Sequence, residues 1–175
     1  YFDKRREENL ESGFEIFTFL TFFPQLLAGP IVDISTFRNG LNTQTENLKS
    51  LQTGLYRISL GLIKKFLIAD TLSQITSIYI NSNYDFTFSF ASSAILILSY
   101  TFQIYFDFSA YCDIAIGIGL LFGFNLPENF NRPYLSKSFR EFWRRWHMTL
   151  SNFFKVYVYI PLGGNRVSKL SLIHI

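Results

Sequence analysis

Residues 86–106 read FTFSFASSAILILSYTFQIYF, Phe86 to Phe106, 21 residues without one charged side chain. A helix rises 1.5 Å per residue and the hydrocarbon core of a bilayer is about 30 Å thick, so about 20 apolar residues make one crossing. The aromatics at both ends fall where a membrane interface favours them. The soluble alternative, a buried core helix, sits poorly with so long an uncharged run. This stretch decides the fold class: all-α, a polytopic helical bundle in a membrane. Residues 1–175 are read as one domain of that kind, incomplete.

The composition agrees. Of 175 residues, 49% are hydrophobic and 19% aromatic, and only 17% are charged, against about 25% in ordinary soluble domains. Disorder requires the opposite balance. The single Cys112 excludes a disulfide framework, and two histidines beside one cysteine exclude a zinc ribbon or finger, so no metal site is expected. A net charge of +3 is too mild to name a nucleic-acid partner, and none is expected. No fixed-period repeat or low-complexity tract is present. Without an initiator Met or a signal-peptide pattern, the chain reads as an internal piece of something longer.

Outward from 86–106, the other uncharged runs are compromised. Ile16–Val32 spans 17 residues but contains Pro24 and Gly29-Pro30, and is expected to break. Gly54–Ile80 is apolar around Arg57, Lys64, Lys65 and Asp70, either one span or two helices meeting near the lysine pair. Ile114–Pro127 continues from the first span across Asp107 and Asp113. As one helix, 86–126 would reach about 60 Å, so a bend near Asp107-Phe108-Ser109 or a long tilted helix is expected. Ala115, Gly119 and Gly123 recur every four residues, a stripe suited to close helix packing. Arg38–Ser50, rich in Asn, Thr and Gln, reads as an exposed connection. Asp107 and Asp113 lie between apolar neighbours and must face protein, water or a partner. They either line a cavity or tie helices together through an Arg or a backbone group.

The stretch Asn129–Arg166 carries the chemistry. Pro133 is expected to hold Arg132 extended. Ser138-Phe139-Arg140-Glu141 has the form of a capping box, so a helix should start there. Phe139, Phe142, Trp143, Trp146, Leu150, Phe153, Phe154 and Tyr157 follow at helical spacing, predicting one amphipathic interfacial helix over 138–157. Beside that face, Arg140, Arg144, His147, Ser151 and Lys155 would form a narrow second stripe. Arg132, Lys137, Arg140, Arg144 and Arg145, opposed only by Glu141, mark this loop as cytoplasmic. Cations around His147 disfavour its charged form, and a neutral imidazole near a hydroxyl suits general-base work on an oxygen nucleophile. Ser151, one turn on, is its expected partner. The alternatives are a structural histidine anchoring the aromatic helix, and arginines 144 and 145 that anchor the membrane surface.

Several of these runs resemble the membrane-bound O-acyltransferase family, in the wording of its bacterial alginate O-acetyltransferase branch. They are Gln103-Ile104-Tyr105-Phe106-Asp107-Phe108-Ser109, Asp113 to Gly117, and Leu126-Pro127-Glu128-Asn129-Phe130-Asn131-Arg132-Pro133-Tyr134. Phe142-Trp143-Arg144-Arg145-Trp146-His147-Met148-Thr149-Leu150-Ser151 and Tyr159-Ile160-Pro161-Leu162-Gly163-Gly164-Asn165-Arg166 complete the series. Upstream, Phe22-Phe23-Pro24-Gln25 through Ala28-Gly29-Pro30-Ile31 is similar too.

The resemblance implies a multi-pass enzyme of the bacterial inner membrane with a central tunnel. It would move an acyl group, acetyl in this branch, from a cytoplasmic-side donor to a hydroxyl of an exported polysaccharide such as alginate. His147 matches the histidine of the family's Trp-His-x-x-x-Ser motif and Ser151 its serine. Trp146, Arg144, Arg145, Asp107, Asp113 and Asn131 would support the site. The family's second histidine, the usual base, belongs to a later Trp-His-Gly motif that this chain does not contain; His174, between Ile173 and Ile175, matches nothing. Residues 171–175 drop the family pattern. No bound cofactor is implied. The expected partners are the lipid bilayer, an acyl donor such as acetyl-CoA or an acyl carrier protein, and polysaccharide-modifying proteins. Two rival readings are a transporter or channel, with Asp107, Asp113 and His147 as relay groups, and a non-catalytic scaffold docking through the aromatic-basic helix.

Overall fold

The computed structural model of the chain describes residues 13–26, 29–42, 48–81 and 89–164, and every regular element among them is helical. Ala28, Asn165, Arg166, His174 and the terminal residues 171–175 lie outside the described residues, as do 43–47 of the expected connection.

The first apolar run breaks where its prolines require. Helix α1 (Gly13–Thr21) stops before Phe22, and α2 (Phe23–Leu26) is a single turn with Pro24 in its first turn, where proline is tolerated. Over residues 29–33 the chain is neither helix nor strand, with Gly29, Pro30 and Val32 buried. Helix α3 (Ile34–Asn42) is started by Asp33, whose carboxylate accepts from the Thr36 N–H at 2.6 Å. Arg38–Asn42 is therefore helix, not connection, and 48–50 already belong to the next helix.

The lysine pair does not divide the second run. Helix α4 (Leu48–Ile63), a wider π-type stretch at Lys64–Ala69 and helix α5 (Asp70–Asn81) form one unbroken rod. Helix α6 (Phe90–Leu121) follows and is not interrupted at Asp107. Ser89 caps it: its hydroxyl takes the Ser92 N–H at 3.2 Å while the Ser92 hydroxyl takes the Ser89 N–H at 3.0 Å. At 32 residues it is about 48 Å long. Among the described residues it is the one helix long and apolar enough to cross a membrane.

The rod and α6 pack antiparallel through glycine. A Cβ on Gly117 would stand 2.7 Å from the Gly54 carbonyl oxygen, and one on Gly61 would stand 2.7 Å from that of Ala110. The close approach thus runs through Gly54, Gly61 and Gly117, not along the expected stripe. Gly119 instead faces Leu126, and Gly123 lies beyond the helix with φ 77°. Gly123 allows a left-handed stop: the Phe124 N–H reaches the Gly119 carbonyl at 2.8 Å and its own N–H that of Leu120 at 3.2 Å.

The chain then returns alongside α6. Phe124 stacks on Phe37 of α3 (5.5 Å between centroids, 15° between planes), with Phe22 against both rings, and these close the core with Val32, Ile116 and Leu126. Further along, Asn129 meets Cys112, Phe130 meets Phe108 and Tyr105, and Tyr134 meets Phe102. The helix expected over 138–157 is in two pieces, α7 (Phe139–Arg145) and α8 (Met148–Phe154), the latter continued by a wider turn at Lys155–Tyr159.

Candidate functional site

The break between α7 and α8 falls on His147. Trp146 is extended, and His147 is left-handed at φ 45°, a region in which histidine is one of the few enriched non-glycine residues. Helix ends leave backbone groups without intrahelical partners, and the returning loop supplies them. The Asn131 N–H donates to the Arg145 carbonyl at 2.9 Å, and the Met148 N–H to the Asn129 carbonyl at 3.0 Å. The Asn129 side-chain oxygen accepts from the Thr149 N–H at 3.3 Å and its hydroxyl at 3.1 Å. Arg132, at the end of this loop, is left-handed (φ 46°) rather than extended, and heads the short 3₁₀ turn Pro133–Leu135.

His147 Nδ1 lies 2.9 Å from the same Asn129 oxygen, and the Phe108 ring meets the imidazole edge-on at 4.8 Å. Burial pushes the His147 pKa below its ordinary 6.5, so the ring is neutral at pH 7. The neutral state is the expected one, but desolvation produces it, not the neighbouring cations that the sequence suggests. The Ser151 hydroxyl is not the partner of the ring: it donates to the Trp143 carbonyl at 3.2 Å. The stripe from Arg140 to Lys155 does not exist, because the helix that would carry it is interrupted.

Beside this junction lies a cavity of about 710 Å³ between the rod, α6 and the returning loop. Charged and polar groups from all three line it, among them Arg57, Lys64, Asp113, Glu128, Asn129 and Arg132. Asp113, on α6, is bound by Arg57 at 2.9 Å and Lys64 at 2.5 Å. Lys64 also reaches the Ser109 hydroxyl at 3.1 Å, and Arg57 pairs with Glu128 on the loop. The ionic network therefore joins the rod to α6 and to the stretch that carries Asn129. A smaller cavity, about 230 Å³, lies across the wall formed by Glu128 and Met148.

Of the residues singled out from sequence, Asp113 and Asn131 line the larger cavity, and His147 stands behind its wall at Asn129. Asp107 pairs with Lys65 at 2.8 Å on a half-exposed flank, so both acids tie helices together. Trp146 packs among Phe130, Phe142, Tyr105 and Tyr134, with centroids 5.0 to 6.3 Å away. Arg145 pairs with Glu141 at 2.5 Å, and Arg144 is exposed. Glu141 also accepts the Lys137 N–H, which with the arginines holds its carboxyl below the usual range. The capping box is thus half as expected: Ser138 takes the Glu141 N–H, while Glu141 reaches Lys137 instead of Ser138. Sequence alone assigns no role to Asn129, Arg57 or Lys64. The pairing of Asn129 with His147 joins residues 18 apart and leaves no periodic signal.

Comparison with known proteins gives a consistent set of matches. Residues 4–174 match the membrane-bound O-acyltransferase family. A peptidoglycan O-acetyltransferase of Helicobacter pylori is 50% identical over 87% of this chain and 29% of its own length. A probable alginate O-acetylase of Pseudomonas aeruginosa is 42% identical over 86% of the chain and 28% of its own length. A teichoic acid D-alanyltransferase of Bacillus subtilis is 32% identical over 81% of the chain and 36% of its own length. The chain thus spans roughly a third or less of the relatives it matches.

Proposed function

Because the chain belongs to the membrane-bound O-acyltransferase family, we propose that the whole protein transfers an acetyl group to a hydroxyl of a glycan outside the membrane. The donor is an acetyl thioester or acyl carrier on the cytoplasmic side, where the cation-rich loop from Arg132 to Arg145 would lie. The names of the relatives point to acetyl esters on alginate or on peptidoglycan, and both are acceptors to assay. The protein is placed in the inner membrane as a multi-pass enzyme, working with an acyl donor and with polysaccharide-modifying partners.

The observation that carries this reading is a neutral, half-buried His147 held against Asn129, a residue of the wall of a polar cavity. Ester formation needs an acceptor O–H whose proton is taken as its oxygen attacks the acyl carbonyl, after which the donor's leaving group departs with a proton. His147 would receive the hydrogen bond of that hydroxyl and orient it. The histidine implied by resemblance in a later Trp-His-Gly would take the proton. The two cavities meet at Glu128 and Met148, which supports room for both a donor and an acceptor group beside the site. Asp107 and Asp113 are held by cations, which favours this reading over a proton-relay channel.

The test is His147→Ala in the full-length protein. Acetyl transfer to glycan should fall by about 10²-fold or more while expression and membrane insertion persist. Undiminished acetylation would remove His147 from the chemistry.

A further inference from the structure

We propose that Asn129 is the positioning residue of this site: it holds the single proton of neutral His147 on Nδ1 and leaves Nε2 as the free acceptor. Its use in catalysis rests on the acyl-transfer reading above; the proton on Nδ1 rests on geometry, and the bare Nε2 on the neutral ring that burial favours as well.

The argument turns on donors that cannot change role. Asn129 is 1% exposed, so each of its polar atoms requires a partner. A backbone N–H can only donate, and the Thr149 N–H lies 3.3 Å from one terminal atom of the Asn129 amide. That atom is therefore the oxygen. The Thr149 hydroxyl agrees: it accepts the Ile31 N–H at 3.1 Å, which leaves its proton for the Asn129 oxygen, also 3.1 Å away. The amide nitrogen is left to face the Cys112 sulfur at 3.3 Å. A carbonyl oxygen accepts only, so His147 Nδ1, 2.9 Å away, is the donor. A neutral imidazole carries one N–H, and the hydrogen bond made by one nitrogen fixes the role of the other. Nε2 therefore holds the lone pair, and it has no hydrogen-bond partner among the described residues.

The backbone reinforces the assignment. The Asn129 carbonyl binds the Met148 N–H at 3.0 Å, so one residue fixes both the main chain after His147 and the ring itself. The Ser151 hydroxyl, one helical turn on, is engaged by the Trp143 carbonyl and has no part in holding the ring; Ser151 meets His147 through its N–H on the His147 carbonyl at 3.1 Å.

The test is made on full-length protein with ¹⁵N-labelled histidine in lipid nanodiscs, the His147 signals being identified by their loss in His147→Gln. At a pH above its titration, His147 should show a protonated Nδ1 and a bare Nε2. A proton on Nε2 in the native protein overturns the proposal without any variant being needed. In Asn129→Ala, the proton should redistribute between the two nitrogens, with turnover reduced about 10²-fold and KM little changed. Asn129→Asp keeps the acceptor, so Nδ1 should stay protonated and part of the turnover should return. An Asn129→Ala spectrum identical to the native one overturns the proposal. An altered spectrum with full turnover overturns the positioning role, and His147→Ala in the same assay then shows whether acyl transfer by this site falls with it.

Discussion

Asp113 and Asp107 carry the same charge on the same helix, yet their removal should cost different amounts. The Asp113 side chain is 7% exposed and neutralises both Arg57 and Lys64. Asp113→Asn leaves partly buried Lys64 without its counter-charge and Arg57 with Glu128 alone, a loss of about 3 kcal/mol. Asp107 is half exposed beside Lys65, and Asp107→Asn should cost less than about 1 kcal/mol. Thermal melts of the full-length protein in one detergent check the ranking, and equal losses would contradict it. His147 gives a second expectation. Burial lowers its folded-state pKa, so it binds fewer protons folded than unfolded between the two values. Its contribution to stability is complete above pH 6.5 and fades as pH falls through the folded pKa. An NMR titration should find the His147 midpoint below 6.5, and one at or above it refutes the burial argument. At this scale the sequence names the histidine through its tryptophan-flanked motif. It hides Asn129, because a contact between a loop and a helix break obeys no periodicity. It also misdirects toward Ser151, because the aromatic spacing continues across a break that the loop, not the local sequence, stabilises.

Among the elements, the antiparallel rod and α6 are held apart by little more than backbone at Gly54, Gly61 and Gly117. Gly117→Ala would drive a methyl group to 2.7 Å from the Gly54 carbonyl and from the Ile58 side chain. Backbone cannot yield as a side chain can, so a loss of about 1–3 kcal/mol is expected, as for overpacked cores. Gly119→Ala meets first the Leu126 side chain, at 2.9 Å, and should be milder. Melting temperatures of the two variants, compared in one detergent, decide this; a larger drop for Gly119→Ala would place the tight seam elsewhere. The existence of these helices is legible from uncharged runs, and so is the break at Pro24 and Gly29-Pro30. Which glycines touch is not. A four-residue repeat marks a helix face, but the neighbour that faces it is chosen by packing. The π-type stretch at Lys64–Ala69 is equally silent in sequence. It lies where Lys64 and Lys65 turn to different acids, Asp113 and Asp107, an arrangement that fits the association of such bulges with functional sites.

For the molecule as a whole, the distribution of exposed apolar side chains sets the final expectation. Phe14, Phe17 and Leu20 on α1, Phe66 and Leu67 on the rod, and Phe90, Ile97 and Leu98 on α6 all stand more than half exposed. Soluble monomers rarely show contiguous apolar patches beyond a few hundred Å², and although the rod packs along α6, apolar side chains of its N-terminal half, among them Ile95, Ile97, Leu98 and Phe102, are left exposed. Lipid or further protein must cover these faces. Residues 1–175, expressed alone with an epitope tag, should therefore remain with the membrane fraction after an alkaline wash. The quadruple variant Ile95→Lys, Ile97→Lys, Leu98→Lys and Phe102→Lys places charge on the bare face of α6, where each lysine costs about 2.5–3.5 kcal/mol at the centre of a crossing helix. It should shift the protein to the aqueous or aggregated fractions. Retention of that variant at the native level would mean that α6 is not the element that crosses, and recovery of the unaltered chain as a soluble monomer would mean that these apolar faces cover one another in water.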